Sequence, residues 1–301
     1  MSFKSSEKKI KKILLIFPPV KTAEHSHRPC VPPLGILYIA AVLREAGYEV
    51  SVLDAVVEDY RRQEPAGRDH VLYGLSFKDL GDRIKAAKPD AVGISCIFSA
   101  SFPAVKKICG IVKSFDRNII TITGGAHPSF LPEKCLSDTP ELDYIVIGEG
   151  EYSVRGLLDK LNLGEELSGL DGLAYREESG IRVNAKKEFI GNLDGLPLPA
   201  RDLVPMEKYI GINAPHGITY KEKVNMSMIT SRGCPFRCVF CSSAGFWGRK
   251  YRMRSVKSVL DEIETLVKVY GAREIQFLDD NLTLDRKRAR EIFKGMIDRK
   301  L

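Results

Sequence analysis

Short apolar segments alternate with helical segments through the first half of the chain, and this alternation restricts the folds open to residues 11–162. The first run, ILLIF (13–17), is fully apolar, as a buried parallel strand should be. Four further strand-like runs follow, separated by segments with helical spacing: VSVLDA, AVGISC, IITITGG and YIVIGEG. This pattern predicts an α/β fold whose parallel sheet is covered on both faces. Five strands predict the flavodoxin-like, or Rossmann-like, order 2-1-3-4-5.

Small and polar residues follow these strands. Sheets of this kind bind ligands beyond the carboxyl ends of their strands. The segment SCIFSAS, with Ser95 and Ser99, follows the third strand, and Gly124 and Gly125 end the fourth strand ahead of His127. The double glycine lets a ligand approach the backbone closely. These small residues therefore predict a groove for a large ligand at the carboxyl ends of the strands.

The segment GEGE after the fifth strand contains Gly148 and Glu149 and is a weak signal by itself. It is equally typical of a tight turn that opens the next helix. No G-x-G-x-x-G follows the first strand and the chain has no Walker A lysine, which argues against a dinucleotide or ATP site.

The second half begins with a different arrangement. The run VNMSMIT predicts a strand, the long loop SRGCPFRCVFCSSAGFWGRKYRMR follows, and three further segments predict a helix, a strand and a helix. This order predicts the beginning of a parallel α/β (TIM-like) barrel over residues 223–301. A barrel of this type has more strand–helix units than two, so the chain is expected to be an amino-terminal portion whose second half is the more sensitive to proteases.

Residues 163–222 differ from the regions on either side. DGLAYREESGIRVNAKKEFIG predicts a short hairpin, and NLDGLPLPARDLVP predicts an extended linker on the surface. The sequence therefore predicts a first domain over 11–162, a hairpin and linker over 163–222 and a partial second domain over 223–301. Residues 1–10 are predicted to form a disordered basic tail.

The loop of the second half holds Cys234, Cys238 and Cys241 at C-x3-C-x2-C spacing. A structural zinc site or a ferredoxin cluster needs four ligands, and the other cysteines lie in the first half at irregular spacing. A redox dithiol of the C-x2-C type leaves Cys234 without a role. Three thiolates can instead hold a four-iron, four-sulfur cluster and leave one iron open to a small chelating ligand.

This loop resembles that of the radical S-adenosylmethionine (SAM) superfamily in its spacing, its preceding strand and the aromatic residue before the third cysteine. The resemblance implies that SAM binds the open iron of a [4Fe-4S] cluster and is cleaved reductively to a deoxyadenosyl radical. The implied cluster ligands are Cys234, Cys238 and Cys241. The implied SAM-binding residues are Phe240, Asp279, Asp280 and Asn281. For Asp280 and Asn281, capping of the next helix is the alternative.

The first half resembles the cobalamin-binding domain found ahead of many radical SAM enzymes, in PPLGILYIAAVLREAGYEVSVLDA, GISCIF, TGGAHPS and DYIVIGEGE. The implied cobalamin-binding residues are Ser95, Ser99, Gly124, Gly125, His127, Gly148 and Glu149. The chain departs from the wider family because D-x-H-x-x-G, whose histidine ligates cobalt, is missing after the first strand. In KTAEHSHRPCVPPLG neither His25 nor His27 is in that frame, and both are interpreted as exposed loop residues.

Together the resemblances imply a cobalamin-dependent radical SAM enzyme that methylates or cyclises an unactivated carbon of a small-molecule substrate and takes electrons from a donor such as flavodoxin or ferredoxin. Two alternatives stay open. The first domain could bind a substrate or partner in a cobalamin-independent radical SAM enzyme, or the chain could be a non-catalytic metal-binding fragment.

Composition sets the remaining limits. The net charge of +7 permits anionic partners, but no RNA-binding motif is present, and Arg249, Arg252 and Arg254 are interpreted as a solvated basic segment. ILLIF is too short for a signal peptide or a membrane span. Seven cysteines without a secretory signal predict thiols or metal ligands in the reducing cytoplasm.

Overall fold

The computed structural model describes residues 9–217 and 219–301, in which the chain forms fourteen strands and eleven α-helices. The predicted basic tail lies outside the described residues, except for its last two positions. The strands are β1 (Lys12–Phe17), β2 (Val20–Ala23), β3 (Glu49–Asp54), β4 (Gln63–Pro65), β5 (His70–Tyr73), β6 (Ala91–Ser95), β7 (Ile120–Gly124), β8 (Tyr144–Val146), β9 (Leu173–Glu177), β10 (Gly180–Asn184), β11 (Asn225–Met228), β12 (Ser231–Arg232), β13 (Arg252–Met253) and β14 (Glu274–Phe277). The helices are α1 (Leu34–Glu45), α2 (Ala55–Glu58), α3 (Phe77–Ala87), α4 (Phe102–Phe115), α5 (Ala126–Phe130), α6 (Pro132–Ser137), α7 (Glu151–Leu163), α8 (Met206–Ile212), α9 (Ser243–Phe246), α10 (Val256–Tyr270) and α11 (Arg286–Asp298).

The first half is built on a parallel sheet. Its strands lie in the order β3-β1-β6-β7-β8, which is the predicted order 2-1-3-4-5. The prediction of a doubly wound α/β domain is therefore confirmed.

Side chains of β1 alternate between the two faces of this sheet, as a strand requires. Leu14 and Ile16 pack with residues of α3 and α4 on one face. Ile13 and Leu15 pack with residues of α1 and α7 on the other. Because both faces are covered, every residue of the ILLI segment is buried, and the fully apolar run is explained.

The predicted hairpin is present as β9 and β10, but it belongs to the main sheet. β9 pairs antiparallel with β8, and β10 pairs antiparallel with β9, which extends the sheet to seven strands. The sequence did not predict this pairing. The prediction of a surface linker after the hairpin is also wrong at Ala200 and Arg201, which are buried. The Ala200 N–H donates to the Leu37 carbonyl at 3.1 Å, which ties the segment to α1.

The second half has the predicted order of strand, loop, helix, strand and helix. β11 and β14 pair in parallel. The helices α10 and α11 cover one face of this pair through a small core of Met228, Val259, Ile263 and Ile292. Ser255 caps α10 by accepting a hydrogen bond from the Ser258 N–H at 3.2 Å, as predicted from its position. Among the described residues, no helix is long and apolar enough to cross a membrane.

Candidate functional site

The three clustered cysteines lie on one loop, between β12 and β13, and border one cavity. Cys238 and Cys241 are exposed and Cys234 is partly exposed. The cavity has a volume of about 310 Å³. Its lining residues are Cys234, Phe236, Arg237, Cys238, Val239, Cys241, Ala244, Gly245 and Arg249. The lining combines thiols with two basic side chains and contains no carboxylate, which suits an anionic group.

The base of the loop is closed by tight backbone packing. Gly233 has a φ of +84°, and a Cβ at this position would collide with the Lys250 carbonyl oxygen. The Cys234 N–H donates to the Gly248 carbonyl at 3.4 Å. Glycine before the first cysteine is therefore needed for the loop to close on itself.

The chemistry of the donor set suits an iron–sulfur cluster. Cys234, Cys238 and Cys241 line the same cavity. In a [4Fe-4S] cluster each thiolate binds a different iron, so three thiolates leave one iron without a protein ligand. The residues present fit such a cluster, with one iron open.

The predicted SAM-binding residues lie in different surroundings. Phe240 is 89% exposed, so it is not held by packing. Asp279 accepts hydrogen bonds from the Thr230 N–H, at 3.1 and 3.2 Å, and from the hydroxyls of Thr230 and Ser231. Its carboxylate therefore fastens the end of β11 to the end of β14. This anchoring role was not foreseen, and it leaves less of Asp279 available to a ligand.

Asp280 and Asn281 lie beside the cysteine loop. The Asp280 carboxylate accepts from the Ser243 hydroxyl at the start of α9, and the Asn281 carbonyl accepts from the Tyr251 hydroxyl at 3.3 Å. The alternative that these residues cap the next helix is wrong. The cap of α11 is Asp285, which accepts from the Arg288 N–H at 3.0 Å.

The residues predicted to line the first-half groove meet at the carboxyl edge of the sheet. Ser95 ends β6, and the Ser99 hydroxyl lies 2.9 Å from Nδ1 of His127. Gly125 has a φ of +114°, and a Cβ there would lie 2.5 Å from the Cys96 carbonyl oxygen. The double glycine thus lets the ends of β6 and β7 approach closely. Partial burial lowers the pKa of His127, which keeps its ring neutral at pH 7.

This edge also carries exposed apolar side chains, which bear on whether cobalamin fits. Ile97 and Phe98 follow β6 and Phe130 ends α5, and all three are exposed. An apolar surface next to hydroxyl groups and bare backbone suits a large, flat macrocycle with polar substituents. The residues at the edge fit the group.

The loop after β1, where the histidine motif is missing, contains β2, which pairs with β5 in a small antiparallel sheet of order β2-β5-β4. His25 and His27 follow β2 and are exposed, which confirms their interpretation as exposed loop residues. Nε2 of His27 lies 2.6 Å from the Pro215 carbonyl oxygen.

Glu149 follows β8 at the same edge of the sheet, but its side chain is buried. It is 2% exposed, and its carboxylate is paired with the guanidinium groups of Arg232 and Arg252. Gly148 forms the preceding turn, where its N–H donates to the Ser129 hydroxyl at 2.9 Å. This geometry agrees with the alternative interpretation, in which GEGE is a tight turn before α7.

The interpretation of the basic segment after the cysteines is wrong for two of its three arginines. Arg252 and Arg254 are 4% and 5% exposed, whereas Arg249 is exposed. Arg254 pairs with the buried carboxylate of Glu262. Arg252 reaches Glu149, which is 103 residues away in sequence, whereas the partner of Arg254 lies in the next helix, α10.

The cysteine loop and the sheet edge are in contact. Helix α9, directly after Cys241, packs against α5. A Cβ at Gly245 of α9 would collide with the Phe130 ring, so the two helices touch at this glycine. The cysteine loop therefore contacts the carboxyl edge of the sheet through α9 and α5.

Two family models match the chain. Residues 24–158 match the B12 binding domain, and residues 228–299 match the radical SAM superfamily. The matched segments contain the sheet edge and the cysteine loop, respectively.

Curated relatives match nearly the whole chain. An uncharacterized methyltransferase of Pyrococcus horikoshii is 38% identical over 94% of this chain and 56% of its own length. Cytidylyl-2-hydroxyethylphosphonate methyltransferase of Streptomyces wedmorensis is 36% identical over 97% of this chain and 59% of its own. The anaerobic magnesium-protoporphyrin IX monomethyl ester cyclase of Rubrivivax gelatinosus is 32% identical over 90% and 45%. The chain spans about half the length of these relatives.

Solved structures share the fold. The radical SAM methyltransferase TsrM of Kitasatospora setae, with cobalamin and a [4Fe-4S] cluster bound, has a TM-score of 0.71 at 19% identity, covering 97% of this chain and 52% of its own. The cobalamin-dependent radical SAM enzyme OxsB, with aqua-cobalamin and SAM bound, has a TM-score of 0.76 at 21% identity, covering 97% and 38%. With the two family models and the relatives, this arrangement of domains shows that the chain belongs to the radical SAM proteins that carry a B12-binding domain.

Proposed function

We propose that the chain carries the cofactor-binding part of a radical SAM enzyme that uses a [4Fe-4S] cluster, SAM and cobalamin to methylate an unactivated carbon of a small-molecule substrate. The observation that carries the proposal is the packing of a three-thiol loop, with its own cavity, against the carboxyl edge of a B12-binding domain. We infer that the working division of the chain is 11–162, 163–222 and 223–301.

In this proposal the three loop thiols hold the cluster. Cys238 and Cys241 are exposed and reach it without rearrangement of a core. Arg237 and Arg249 at the cavity rim offset the negative charge of three thiolates. When bound, the cluster supplies the electron for reductive cleavage of SAM, and cobalamin supplies the methyl group.

SAM would contact the exposed Phe240 ring and the polar groups of Asp280 and Asn281. Asp279 acts mainly by holding the ends of β11 and β14 together, through its hydrogen bonds to Thr230 and Ser231. It therefore positions the loop that carries the thiols. Each carboxylate oxygen has two lone pairs, so Asp279 can also accept a hydrogen bond from the SAM amino group.

Cobalamin would lie on the carboxyl edge of the sheet. The residues proposed to hold it are Ser95, Ser99, Gly124, Gly125, His127 and Gly148. The neutral ring of His127, held by the Ser99 hydroxyl, offers one polar contact beside an otherwise apolar surface. Glu149 is left out of this set because its carboxylate is engaged by two arginines.

Methyl transfer is the first choice of reaction. The two methyltransferase relatives are 38% and 36% identical to the chain, whereas the cyclase relative is 32% identical. Ring closure by the same radical chemistry is the second candidate, supported by that cyclase. The donor of electrons is proposed to be an acidic flavodoxin or ferredoxin in the reducing cytoplasm, since the cavity rim is basic.

Anaerobic reconstitution tests the proposal. The chain is incubated with iron, sulfide and hydroxocobalamin, desalted, and analysed for metal, acid-labile sulfide and corrinoid absorbance. The expected result is about four iron and four sulfide per chain, with stoichiometric corrinoid. Cluster without corrinoid would favour the cobalamin-independent alternative, and zinc without sulfide would favour a closed metal-binding module.

A further inference from the structure

Buried ion pairs join the two halves of the chain beneath the cysteine loop. We propose that Glu149 is a positioning residue that clamps both ends of this loop to the sheet edge and so fixes the cluster relative to the cobalamin site. The inference rests on the proposed function, because it concerns the separation of those two cofactors.

The two ends of the loop carry arginines that face each other. Arg232 in β12 and Arg252 in β13 are directly opposite in the antiparallel pair that closes the loop. Both are 4% exposed. Like charges directly opposite each other destabilise a strand pair, and burial removes the water that would screen them. The loop can close in this way only if a counter-charge lies between the two guanidinium groups.

Glu149 supplies this counter-charge. Its Oε1 lies 2.9 Å from Nη1 of Arg232 and 2.7 Å from Nη1 of Arg252, and its Oε2 lies 2.8 Å from the latter. Glu151 pairs with Arg232 at 2.6 Å. One carboxylate of the first half therefore bridges both ends of a loop that begins more than eighty residues later.

The same arginines hold the far side of the loop. Nη2 of Arg252 donates to the Trp247 carbonyl at 2.6 Å. The guanidinium group of Arg232 lies over the Trp247 ring, 4.9 Å from its centroid. Trp247 follows α9, the helix that continues from the third cysteine. Glu149 thus acts on residues 233–251 through two arginines and one tryptophan.

The position of Glu149 links this clamp to the cobalamin side. It follows β8, the strand adjacent to β7, and β7 ends in the Gly124–Gly125 pair. Its carboxylate is therefore anchored to the same rigid edge as the groove. Loss of the carboxylate would leave that edge intact and release the loop.

Hydrogen exchange of the chain without cofactors tests the clamp. Removing one partner of a buried ion pair leaves an uncompensated charge, so Glu149→Gln is expected to speed amide exchange in residues 233–251 by on the order of 100-fold. Arg252→Gln is a second variant with the same expected direction. The matched control is Glu262→Gln, since Glu262 is fully buried and pairs with Arg201 and Arg254 outside the cysteine loop. Wild-type exchange rates in both loop variants would overturn the inference.

The reconstituted chain allows a second measurement, the distance between the two cofactors. A residue that only stabilised the fold would not change this distance. Pulsed electron paramagnetic resonance (EPR) measures the distance between cob(II)alamin and the reduced cluster. Glu149→Gln is expected to broaden or shift this distance while Glu262→Gln keeps the wild-type distribution. An unchanged distance in a Glu149→Gln protein that holds both cofactors overturns the inference but leaves the proposed function standing. A wild-type chain that holds neither cofactor overturns the proposed function, and with it the cofactor part of the inference.

Discussion

The two halves of the chain hold their functional surfaces in different ways. In the first half a sheet covered on both faces carries the groove residues at the ends of its strands, so local sequence and the apolar clusters on the two faces place them. In the second half a small cluster forms around Met228, and Met226 and Leu266 pack into a second cluster that is shared with the first half. The cysteine loop itself is held by ion pairs to the first half. A sheet edge fixed by its core and a loop tethered by ion pairs are therefore in contact.

The cysteines show the same contrast. Cys96, Cys109 and Cys135 are buried, and burial raises the pKa of these thiols to about 12, about 12 and about 11. They are protonated packing groups at neutral pH. Cys238 and Cys241 in the tethered loop are exposed. In the described part of the chain, the exposed thiols all lie in this loop.

The largest expected effect comes from removing a loop thiol. Cys238→Ala is expected to abolish iron binding, because two thiolates cannot replace three, while the free energy of unfolding changes by no more than about 0.5 kcal/mol, as for other exposed positions. The measurements are iron content after reconstitution and thermal unfolding.

Cys109→Ala is the matched control for that variant. Cys109 is fully buried in the first core, so its truncation is expected to destabilise the chain by about 1 kcal/mol without loss of iron. Equal iron content in the two variants would show that the loop thiol is no more important for iron binding than the buried thiol.

The next effect concerns the pH dependence of stability and a buried carboxyl group at the end of β3. Burial raises the pKa of Asp54 from 3.8 to about 6, despite hydrogen bonds from the Tyr209 hydroxyl and the Val56 N–H. A raised carboxyl pKa in the folded state adds stability below about pH 4 that is lost as pH rises through 6, by about 3 kcal/mol in total. Asp54→Asn is expected to flatten this decline between pH 4 and 7 in urea unfolding. A variant that retains the wild-type slope would contradict the assignment.

A smaller effect separates two neighbouring carboxylates in the second half. Asp279→Ala leaves the Thr230 N–H without its acceptor and is expected to lower the free energy of unfolding by about 1–2 kcal/mol. Asp280→Ala removes an exposed side chain and is expected to change it by less than about 0.5 kcal/mol. Denaturant unfolding of both variants measures the difference, and equal losses would show that Asp279 does not anchor the strands.

The smallest expected effect is at the histidines after β2. His25 and His27 are exposed and outside the frame of a cobalt ligand. The double variant His25→Ala, His27→Ala is expected to bind cob(II)alamin with less than about a twofold change in affinity, since neither ring belongs to the proposed site. Loss of corrinoid binding would move the cobalamin site toward this loop.

Sequence reasoning predicted the features that depend on neighbours in the chain. Apolar runs and helical spacing predicted the strand order of the first half, and the cysteine spacing predicted a shared site. The pairing of β9 with β8 was missed, because a hairpin pattern does not specify which sheet edge it joins. The Glu149 clamp and the burial of Arg252 were missed because the paired residues are far apart in sequence. The partner of Arg254, Glu262, is near in sequence, but the pattern of α10 did not show that this carboxylate is buried.

The most direct test of the account is EPR spectroscopy of the anaerobically reconstituted and reduced chain, before and after addition of SAM. Three thiol ligands leave one iron open, so a [4Fe-4S] signal whose g-values change when SAM binds is expected. A cluster signal that SAM leaves unchanged, or a metal site already saturated by side chains, would contradict it.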